Sequence, residues 1–286
     1  MPANPIPRFF KKTRRELFVG LSKLGLKKAS IKYRKLKVRI PLIYGIGRYH
    51  FLPPDNLWMR KAIRIATTLW PERAVVDIGA NVGQFMLELK AISDSNPYYG
   101  FEPNPPCMFY LYELIRMNQF PKTFVYPVAV SERNQVHYLY SSAWDSGTST
   151  LVEAFRQENK AYSTSVYSVN GDDFLETVQD DICFIKIDVE GFEYEVLKGI
   201  KDVVNKQRPL IFCEILVDHQ DEGKLEKIKE NIQSIHTLMT NIQYQTYGEK
   251  EDLEPFLMNH VGDYANFGND FLFIPREHVK QVMNHI

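Results

Sequence analysis

The sequence predicts an open α/β fold in which a mostly parallel sheet carries helices on both faces. From about residue 74 onward, short apolar runs alternate with helical stretches, which is typical of parallel strands linked by helices. The chain has 286 residues, of which 44% are hydrophobic, so a sizeable core can be buried. Acidic residues follow several of the apolar runs, which places them at the edge where such sheets bind ligands.

The first 40 residues carry a concentrated positive charge. They contain 13 of the 35 Lys and Arg residues and one acid, Glu16, whereas the formal net charge of the whole chain is zero. Such an arm either meets phosphate, anionic lipid or nucleic acid, or packs as a solvated helix on the mildly acidic body. Its Phe and Leu side chains would suit peripheral contact with an anionic membrane, and hence a lipid-linked glycan substrate.

The chain divides into two parts on this pattern. We expect residues 8–40 to form one or two basic helices interrupted at Gly20 and Gly25, followed by a connecting segment rich in Pro and Gly. The basic extension and connector therefore cover residues 1–54, and the main domain covers residues 55–286. Asp55 and Asn56 are candidate N-caps for the first helix of the main domain.

The elements of the main domain follow from hydrophobic periodicity and breaker residues. The predicted strands are 74–78, 98–102, 123–130, 182–188 and 210–215. The predicted helices are 57–69, 82–92, 106–118, 192–206 and 225–235. Two later strands, 242–247 and 271–274, would close the edge of the sheet. Residues 135–140 are predicted to form an additional short strand, and residues 145–150 a loop.

Membrane spans, secretion signals and cysteine motifs are not evident in the sequence. No apolar run reaches the ~18–20 residues that cross a bilayer, and early Lys and Arg residues interrupt any secretory signal. Cys107, Cys183 and Cys213 are far apart and form no CxxC pair, so neither a disulfide framework nor a zinc site is indicated. We expect a cytoplasmic protein. A peripheral position at the inner membrane face, with the basic arm as the contact, is an alternative. A helical arm of this kind can also be exchanged within a homo-oligomer.

The run from Val75 to Gly83 is the most informative local pattern. An apolar strand ends at Asp77 and turns through Gly79 and Gly83 into a helix. Glycines let the backbone approach a ligand closely, and the helix N-terminus presents free N–H groups to it. The Asp77 carboxylate could meet the positive amino group of a methionine moiety, directly or through water.

A second acid, Glu102, closes the next strand. An acid at that position can accept both hydroxyls of an adenosine ribose. The glycine turn and the acid have a competing interpretation. A nicotinamide-dependent oxidoreductase also combines a glycine turn with an acid about 20 residues later. The spacing between Gly79 and Gly83 does not fit the dinucleotide fingerprint, and Asp77 would repel a pyrophosphate.

Further acids follow the fourth and fifth strands. Asp188 comes directly after an apolar strand, and Glu214 repeats the arrangement one strand later. Asp188 could remove a proton from a substrate hydroxyl, hold the cofactor or, with Glu214, ligate a divalent ion such as Mg²⁺. Glu190 is equally compatible with the reaction centre and with the helix dipole, whereas Glu193 fits the helix dipole better.

These runs resemble the FkbM family of methyltransferases. The matching runs are Asp77-Ile78-Gly79-Ala80-Asn81-Val82-Gly83, Phe101-Glu102-Pro103 and Ile185-Lys186-Ile187-Asp188-Val189-Glu190-Gly191-Phe192-Glu193. The resemblance covers about residues 70–217 and follows four strands in the expected order. It implies a Rossmann-like class I methyltransferase fold, with a seven-stranded sheet ending in an antiparallel hairpin. It also implies methyl transfer from S-adenosylmethionine, typically to a hydroxyl of a sugar, a glycan or a complex natural product.

The resemblance further implies a role for each site residue. The cofactor residues would be Asp77, Gly79, Asn81, Gly83 and Glu102. Val128 and Ala129 would lie near the adenine, and Ser149 would belong to a loop that borders the cofactor or substrate. Asp188, Glu190 and Glu214 would line the reaction centre, with Asp188 as the base or as a metal ligand.

Two other functions remain as alternatives. A nucleic-acid methyltransferase would bind phosphates through the basic arm. Against this function, Asp188-Val189-Glu190 occupies the position where base-methylating enzymes usually carry an Asn-Pro-Pro-aromatic motif. A non-catalytic scaffold could also use the fold. We expect residues between Trp144 and Tyr167 to shape the acceptor pocket, where Tyr162 and Tyr167 either stack on a sugar or serve packing.

Overall fold

The computed structural model describes most of the chain, namely residues 20–43, 46–51, 56–141, 149–152, 162–217, 222–249 and 255–286. The strands are β1 (Lys28–Tyr33), β2 (Leu36–Pro41), β3 (Ala74–Ile78), β4 (Tyr98–Phe101), β5 (Thr123–Tyr126), β6 (Ala129–Ser131), β7 (Gln135–Ser141), β8 (Ser149–Thr150), β9 (Tyr162–Asn170), β10 (Ile182–Ile187), β11 (Leu210–Glu214), β12 (Tyr244–Glu249), β13 (Pro255–Leu257) and β14 (Asp270–Pro275). The helices are α1 (Leu57–Leu69), α2 (Gln84–Ile92), α3 (Pro105–Asn118), α4 (Gly171–Leu175), α5 (Glu193–Gly199), α6 (Lys201–Gln207), α7 (Glu222–Asn241) and α8 (Val279–Met283). Short 3-10 helices span Ile46–Phe51, Val261–Asn266 and Arg276–His278.

The central sheet confirms the predicted fold class. Its strand order is β13-β12-β14-β11-β10-β3-β4-β5. The five strands from β11 to β5 run parallel, and β14, β12 and β13 each pair antiparallel with their neighbour. Strand β10 lies in the middle with β3 beside it, and every residue of both strands is buried, which explains their unbroken apolar runs.

The sheet is one strand wider than the seven strands expected. The additional strand is β13, which pairs with β12 through Tyr247, Gly248 and Glu249. It is only three residues long, and its residues are half-buried, so it carries little of the hydrophobic periodicity from which strands are predicted.

Helices cover both faces of the sheet and create two separate hydrophobic cores. One core joins α1, α2 and α3 to the face that carries Val75 and Phe184. The other joins α5, α6 and α7 to the face that carries Val76 and Ile185. Neighbouring residues of a strand point to opposite faces, so β3 and β10 contribute to both cores.

The prediction of basic helices in the extension is wrong for residues 28–41, which form an antiparallel hairpin of β1 and β2. Helical conformation between residues 20 and 43 is limited to residues 20–23, and residues 8–19 lie outside the described part of the chain. The reason is a period of two, because Ile31, Tyr33, Val38 and Ile40 alternate with charged residues. The hairpin packs its apolar face into the core formed with α1, α2 and α3.

The predicted strand 123–130 is also divided in the structure. Residues Thr123–Tyr126 form β5 at the edge of the central sheet, whereas Ala129–Ser131 form β6 in a second sheet with the order β6-β9-β7-β8. Pro127 lies at the break, where its missing N–H and fixed φ interrupt strand pairing. The additional strand predicted at 135–140 is confirmed as β7, which belongs to this second sheet.

Four of the five helix predictions differ from the structure in their boundaries, although α3 differs only in beginning at Pro105 rather than at residue 106. The predicted helix 192–206 consists of α5 and α6, which meet at Ile200. A Cβ at Gly199 would collide with the carbonyl oxygen of Ser131, so the chain passes β6 at very close range there. Helix α7 is longer than the predicted 225–235, and α2 begins at Gln84 rather than at residue 82. Asn56 is confirmed as the N-cap of α1, because its Oδ1 accepts a hydrogen bond from Met59 N at 2.8 Å. The other candidate, residue 55, lies outside the described residues.

Two further observations concern helices and cysteines. None of the helices in the described ranges is both long enough and apolar enough to cross a membrane. The three cysteines are buried and form no disulfide with one another.

Candidate active site

The glycine turn after β3 is built against the end of β10. Gly79, Asn81 and Gly83 all have positive φ, at 86°, 49° and 83°. A Cβ at Gly79 would collide with the carbonyl oxygen of Asp188, so only glycine allows these two segments to approach each other. The Asp188 N–H also donates to Ile78 O at 3.0 Å. The turn therefore brings the predicted cofactor loop and the predicted catalytic acid to one edge of the sheet.

Glu102 is held rigidly beside this turn. Its Oε2 accepts a hydrogen bond from Asn81 N at 2.7 Å, and its Oε1 accepts one from Asn104 N at 2.8 Å. Burial raises the pKa of Glu102 to about 7, although these two hydrogen bonds and the charge of Lys186 oppose the shift. Each oxygen keeps a second lone pair, so the carboxylate can still accept hydroxyl hydrogens from a ligand.

A cavity lies over this edge and joins most of the predicted site residues. Its wall contains Gly79, Asn81, Glu102, Val128, Ala129, Ser149, Asp188 and Glu190. Residues for which the sequence predicted no role in the site complete the wall, among them Phe101, Asn104, Leu139, Leu151 and Phe192. Three predicted residues, Asp77, Gly83 and Glu214, lie outside the wall that the described residues form.

Asp77 is fully buried behind the cavity. Its Oδ2 accepts a hydrogen bond from Tyr98 Oη at 2.6 Å, and its Oδ1 lies 3.3 Å from Lys186 Nζ without a well-formed hydrogen bond. Burial raises the pKa of Asp77, and Lys186 and Tyr98 oppose that shift. In this structure, Asp77 therefore contacts Lys186 and Tyr98 rather than the cavity.

Lys186 is one of the site residues that sequence reasoning missed. Its Nζ lies 3.2 Å from Asp188 Oδ2 and 3.3 Å from Asp77 Oδ1, and it donates to Gly79 O at 2.9 Å. Burial alone would lower the pKa of Lys186, but Asp188 and Asp77 outweigh that effect and raise it. A lysine between Ile185 and Ile187 in a fully buried strand was the available signal, because a buried ammonium needs anionic partners.

Asp188 lies where the cavity meets a cluster of carboxyl groups. Its side chain is 35% exposed, and the ion pair with Lys186 fixes its position. Ile187 and Cys213 are paired in register, so Glu214 follows on the same edge, and Glu214 in turn pairs with Asp270 of β14. Burial, with further contributions from Asp188 and Asp270, raises the pKa of Glu214 to about 8.

Asp270 was also missed by sequence reasoning. Its Oδ2 accepts a hydrogen bond from Asn56 Nδ2 at 2.7 Å, and Asn56 also caps helix α1. Burial raises the pKa of Asp270, and the hydrogen bond from Asn56 opposes the shift. Only the antiparallel pairing of β14 with β11 places this carboxyl beside Glu214, so local sequence carries no sign of it.

The loop after β10 is fixed by polar contacts at both ends. Glu190 adopts a φ of 54°, and its carbonyl oxygen accepts a hydrogen bond from Thr150 Oγ1 at 2.7 Å. Glu193 is fully buried, and its Oε1 accepts a hydrogen bond from Gly191 N at 2.7 Å. Glu193 therefore stabilises the start of helix α5, as expected from its position, while Glu190 lines the cavity.

The second sheet forms a cover over the cavity. Leu139 of β7 and Ser149 of β8 contribute to the wall, and Ser149 Oγ lies 3.3 Å from Asn104 Nδ2. Tyr162 and Tyr167, for which the sequence left sugar stacking and packing as alternatives, are exposed and lie outside the wall. Tyr167 alternates with the buried Val166 and Ser168, so it points away from the cavity. Residues 142–148 and 153–161, including Trp144, lie outside the described part of the chain.

Metal binding at Asp188 and Glu214 finds no support. Within the described ranges, no group of three or more His, Cys, Asp or Glu side chains is arranged to hold a metal ion. The Lys186 ammonium contacts Asp188 from one side, where it competes electrostatically with a divalent cation.

The chemistry of the wall fits S-adenosylmethionine. Glu102 presents a rigid carboxylate, which is a suitable acceptor for ribose hydroxyls, and Val128, Ala129 and Leu139 present apolar surface, which suits an aromatic ring such as adenine. The opposite end is acidic, with Asp188 and Glu190 in the wall. A positively charged sulfonium is compatible with that end on electrostatic grounds, whereas a pyrophosphate is not.

Comparison with known proteins agrees with this geometry. A family model described as the methyltransferase FkbM domain matches residues 77–248. None of the curated proteins compared with the chain matches it.

Solved structures give distant similarities. The methyltransferase FkbM structure from Methylobacillus flagellatus KT has 13% identity and a TM-score of 0.46, covering 92% of this chain and 59% of that chain. The chain thus spans about three-fifths of that protein's length. The O-methyltransferase from Bacillus cereus in complex with SAH has 8% identity and a TM-score of 0.42, covering 95% of this chain and 92% of that one. Precorrin-6y C5,15-methyltransferase from Geobacter metallireducens GS-15 has 12% identity and a TM-score of 0.38, covering 78% and 89%.

The family match starts at Asp77 and includes the glycine turn, Glu102, Asp188 and Glu214. It therefore contains both the Glu102 end and the acidic end of the cavity. Since the match covers more than half of the sequence, the chain belongs to the FkbM family of S-adenosylmethionine-dependent methyltransferases.

Proposed function

We propose that this protein transfers a methyl group from S-adenosylmethionine to a hydroxyl oxygen of a sugar, a glycan or a complex natural product. The observation that carries the proposal is one cavity with two chemically different ends. Glu102 and the apolar residues around it suit adenosine, and Asp188 stands at the end where an acceptor would meet the methyl group. The family membership makes methyl transfer the reaction class, and the acidic end favours an acceptor that must lose a proton.

The cofactor end is preorganised by backbone contacts. The proposed cofactor residues are Gly79, Asn81, Glu102, Val128, Ala129 and Ser149. Glu102 would accept the ribose hydroxyls while Asn81 N and Asn104 N hold its carboxylate in place. When bound, S-adenosylmethionine supplies an activated methyl group on a sulfonium. Asp77 and Gly83 act indirectly in this proposal, Asp77 through Lys186 and Gly83 through the shape of the turn.

At the acceptor end, Asp188 is the proposed general base. It would take the hydroxyl proton as the acceptor oxygen forms its bond to the methyl carbon, and the bond from that carbon to sulfur breaks. Lys186 holds the Asp188 carboxylate from behind through the 3.2 Å ion pair, so the base is oriented before the acceptor arrives. Glu190 would contact the acceptor from the cavity wall, and Glu214 would act electrostatically from beside Asp188.

The same charges disfavour the nucleic-acid alternative. Four carboxyl groups lie around the acidic end of the cavity and its rim, namely those of Asp188, Glu190, Glu214 and Asp270. A phosphodiester chain would be repelled there unless several of these groups were protonated. A neutral hydroxylated acceptor meets no such barrier.

Calorimetric titration with S-adenosylhomocysteine tests the cofactor end. We expect binding by the wild-type protein, no comparable binding of NAD, and a loss of at least tenfold in affinity in Glu102→Gln. Glu226→Gln, which changes an exposed glutamate of α7, is the matched control and should bind as the wild type does. The proposal fails if folded wild-type protein does not bind S-adenosylhomocysteine, or if Glu102→Gln binds it with wild-type affinity.

Transfer of labelled methyl groups to a panel of hydroxylated glycans tests the acceptor end. We expect Asp188→Asn to retain affinity for S-adenosylhomocysteine but to lose about 10²–10⁴-fold in turnover, which is the usual contribution of a general base. Unchanged turnover in Asp188→Asn would remove the base from the mechanism. Label found on DNA or RNA rather than on glycans would favour the nucleic-acid alternative, and binding without transfer to any acceptor would favour the scaffold.

A further inference from the structure

The hairpin of β1 and β2 presents a face made of positive charges. Lys28 and Lys32 of β1 and Lys37 and Arg39 of β2 are all exposed. Lys32 is paired in register with Lys37, and Arg39 with Ser30, so these side chains share one side of the two-stranded ribbon. We call these four residues the basic face.

The orientation of the basic face is fixed by the opposite side of the hairpin. Tyr33, Val38 and Ile40 are buried against the helices, and successive strand residues point to opposite sides. The backbone of Arg39 also exchanges hydrogen bonds with the Asn118 side chain, at 2.8 Å to Oδ1 and 2.7 Å from Nδ2. The four cations therefore project outward from a ribbon that is anchored to the domain.

Few acidic residues accompany this charge in the sequence. The sequence has one acid, Asp55, between Glu16 and Glu72, whereas that stretch contains twelve Lys and Arg residues. At the hairpin turn, Arg34 and Lys35 line a groove with Arg60 and Arg64 of α1. The acid in that groove wall is Glu88, which is buried and ion-paired with Arg34 at 2.9 Å.

Two leucines lie exposed next to the basic face. Leu24 is 79% exposed and Leu26 is 49% exposed, immediately before β1. Lysines flank them in the run Lys23-Leu24-Gly25-Leu26-Lys27-Lys28, all of which is exposed. Exposed leucines of this kind favour an apolar environment, and the lysines around them favour an anionic partner.

We propose that the basic face, together with Leu24 and Leu26, docks the protein on the surface of an anionic lipid bilayer. Lysine and arginine side chains would meet the phosphates of the headgroups, and the two leucines would enter the boundary between headgroups and acyl chains. A nucleic acid would use the charges but leave the leucines in water, so the bilayer satisfies both features of the surface. The proposal is independent of the methyl transfer proposed above, since it involves none of the cavity residues.

Vesicle flotation with the full chain, without cofactor or acceptor, tests the proposal. We expect binding to vesicles of phosphatidylcholine with about 30% phosphatidylglycerol, weak binding to pure phosphatidylcholine, and a decrease from roughly 50 mM to roughly 500 mM salt. The test variant replaces all four residues of the basic face with serine: Lys28→Ser, Lys32→Ser, Lys37→Ser and Arg39→Ser. It should lower the partition coefficient on anionic vesicles at least tenfold.

A matched control removes the same charge from the other side of the sheet. Its substitutions are Lys201→Ser, Lys206→Ser, Lys227→Ser and Lys229→Ser, at exposed positions of α6 and α7. This control should bind vesicles within about twofold of the wild type, because electrostatic attraction falls off within a Debye length of the membrane. A second variant, Leu24→Ser with Leu26→Ser, keeps every charge and should still lower binding severalfold.

Three outcomes would overturn the proposal. The wild-type protein could fail to prefer anionic vesicles, the control could lose as much binding as the basic-face variant, or the basic-face variant could bind vesicles normally. A basic-face variant that loses affinity for duplex DNA but not for vesicles would assign the surface to nucleic acid instead. Circular dichroism and thermal unfolding of each variant establish that the hairpin is still folded when binding is measured.

Discussion

Lys186 is the residue on which the charge balance of the site depends. Its ammonium lies between the Asp77 and Asp188 carboxylates, and Lys186 and Asp77 are buried while Asp188 is partly exposed. Removing one member of a buried ionic group leaves an uncompensated charge, which costs about 3–5 kcal/mol in folding free energy. The structure thus assigns Lys186 both to stability and to the placement of the proposed base.

We expect Lys186→Met to lower the free energy of unfolding by about 3–5 kcal/mol, measured by chemical denaturation. Lys198→Met is the matched control, because Lys198 forms its ion pair with Glu132 at the exposed surface. Surface ion pairs contribute little to stability, so the control should stay close to the wild type. Equal effects of the two substitutions would contradict the burial argument.

Buried carboxyl groups should make the protein less stable as pH rises. Burial raises the pKa of Glu102 and Glu193 to about 7 and of Glu214 to about 8, whereas an unfolded glutamate has its usual value near 4.5. Between those values the folded state binds more protons than the unfolded state. The contribution to stability is therefore fully present below the unfolded pKa and is lost as pH rises through the folded pKa.

The melting temperature of the ligand-free protein should accordingly decrease from about pH 5.5 to about pH 8.5. Glu214→Gln stays neutral in both states and should reduce that decrease, because the carboxyl group next to Asp188 and Asp270 is removed. Glu226→Gln, in which an exposed glutamate of α7 changes, should keep the wild-type pH dependence. A melting temperature that rises over this range would show that other groups dominate the linkage.

The site residues differ in how visible they are in the sequence. Gly79, Glu102 and Asp188 stand at ends of apolar strands, and the topology of parallel sheets brings such ends to one edge. Lys186 and Asp270 depend on which strands become neighbours, since one contacts Asp77 across the β3–β10 pair and the other contacts the β11 end from an antiparallel strand. A lysine within an apolar strand indicates that anionic partners exist, but the identity of those partners is not present in the spacing of residues along the chain.

Among the elements, the turn between β3 and α2 has the tightest steric constraint. Gly79 combines a φ of 86° with close approach to the Asp188 carbonyl oxygen. Any side chain there must displace either the turn or the end of β10, and backbone strain adds to that cost.

We expect Gly79→Ala to lower the free energy of unfolding by at least about 3 kcal/mol, or to prevent folding. Gly262→Ala is the matched control, because no atom lies within 4 Å of a Cβ at that position. Denaturation of both variants measures the difference, and S-adenosylhomocysteine titration of any folded Gly79→Ala protein measures the effect on the turn. A Gly79→Ala protein of wild-type stability would show that the turn can relax.

Element prediction succeeded where periodicity was long and failed where it was short. The buried strands β3, β10 and β11 were recognised by continuous apolar runs. The hairpin was missed because its Lys-rich sequence favours a helix as readily as a ribbon, and only the period of Ile31, Tyr33, Val38 and Ile40 distinguishes the two. The break at Pro127 was missed because strands on either side read as one apolar stretch.

At the scale of the whole molecule, the basic extension is not separate from the core. Tyr33, Val38, Ile40 and Leu42 are buried in the same cluster as the residues of α1, α2 and α3. Tyr33 Oη also donates to Glu88 Oε1 at 3.1 Å on α2. The division at residue 54, made from breaker residues alone, stays a prediction, whereas the packing of residues 28–42 against the main domain is a feature of the structure.

We therefore expect Ile40→Ala to destabilise the entire chain by about 2–5 kcal/mol, the usual cost of truncating a fully buried isoleucine. Scanning calorimetry should show one unfolding transition that moves to lower temperature. Lys37→Ala, on the exposed side of the same strand, should change the transition little. A second transition in the Ile40→Ala protein, with the main one unmoved, would indicate that the hairpin folds independently.

The fold as a whole was predictable because strand order follows from alternating strands and helices, with right-handed crossovers leaving few topologies. The second sheet was not, because β6 and β8 are only three and two residues long, and β7 and β9 are largely exposed strands whose pairing depends on tertiary contacts. Their position over the cavity follows from tertiary contacts that run through Ser149 and Thr150.

The two-residue strand β8 links both ends of the cavity. Ser149 contacts Asn104, next to the residue proposed to hold the ribose, and Thr150 donates to the carbonyl oxygen of Glu190 on the proposed acceptor side. Attempts to redesign the enzyme for a different acceptor through this strand will therefore also alter cofactor retention. Natural divergence in acceptor choice should accordingly be easier at positions that contact only one of the two partners.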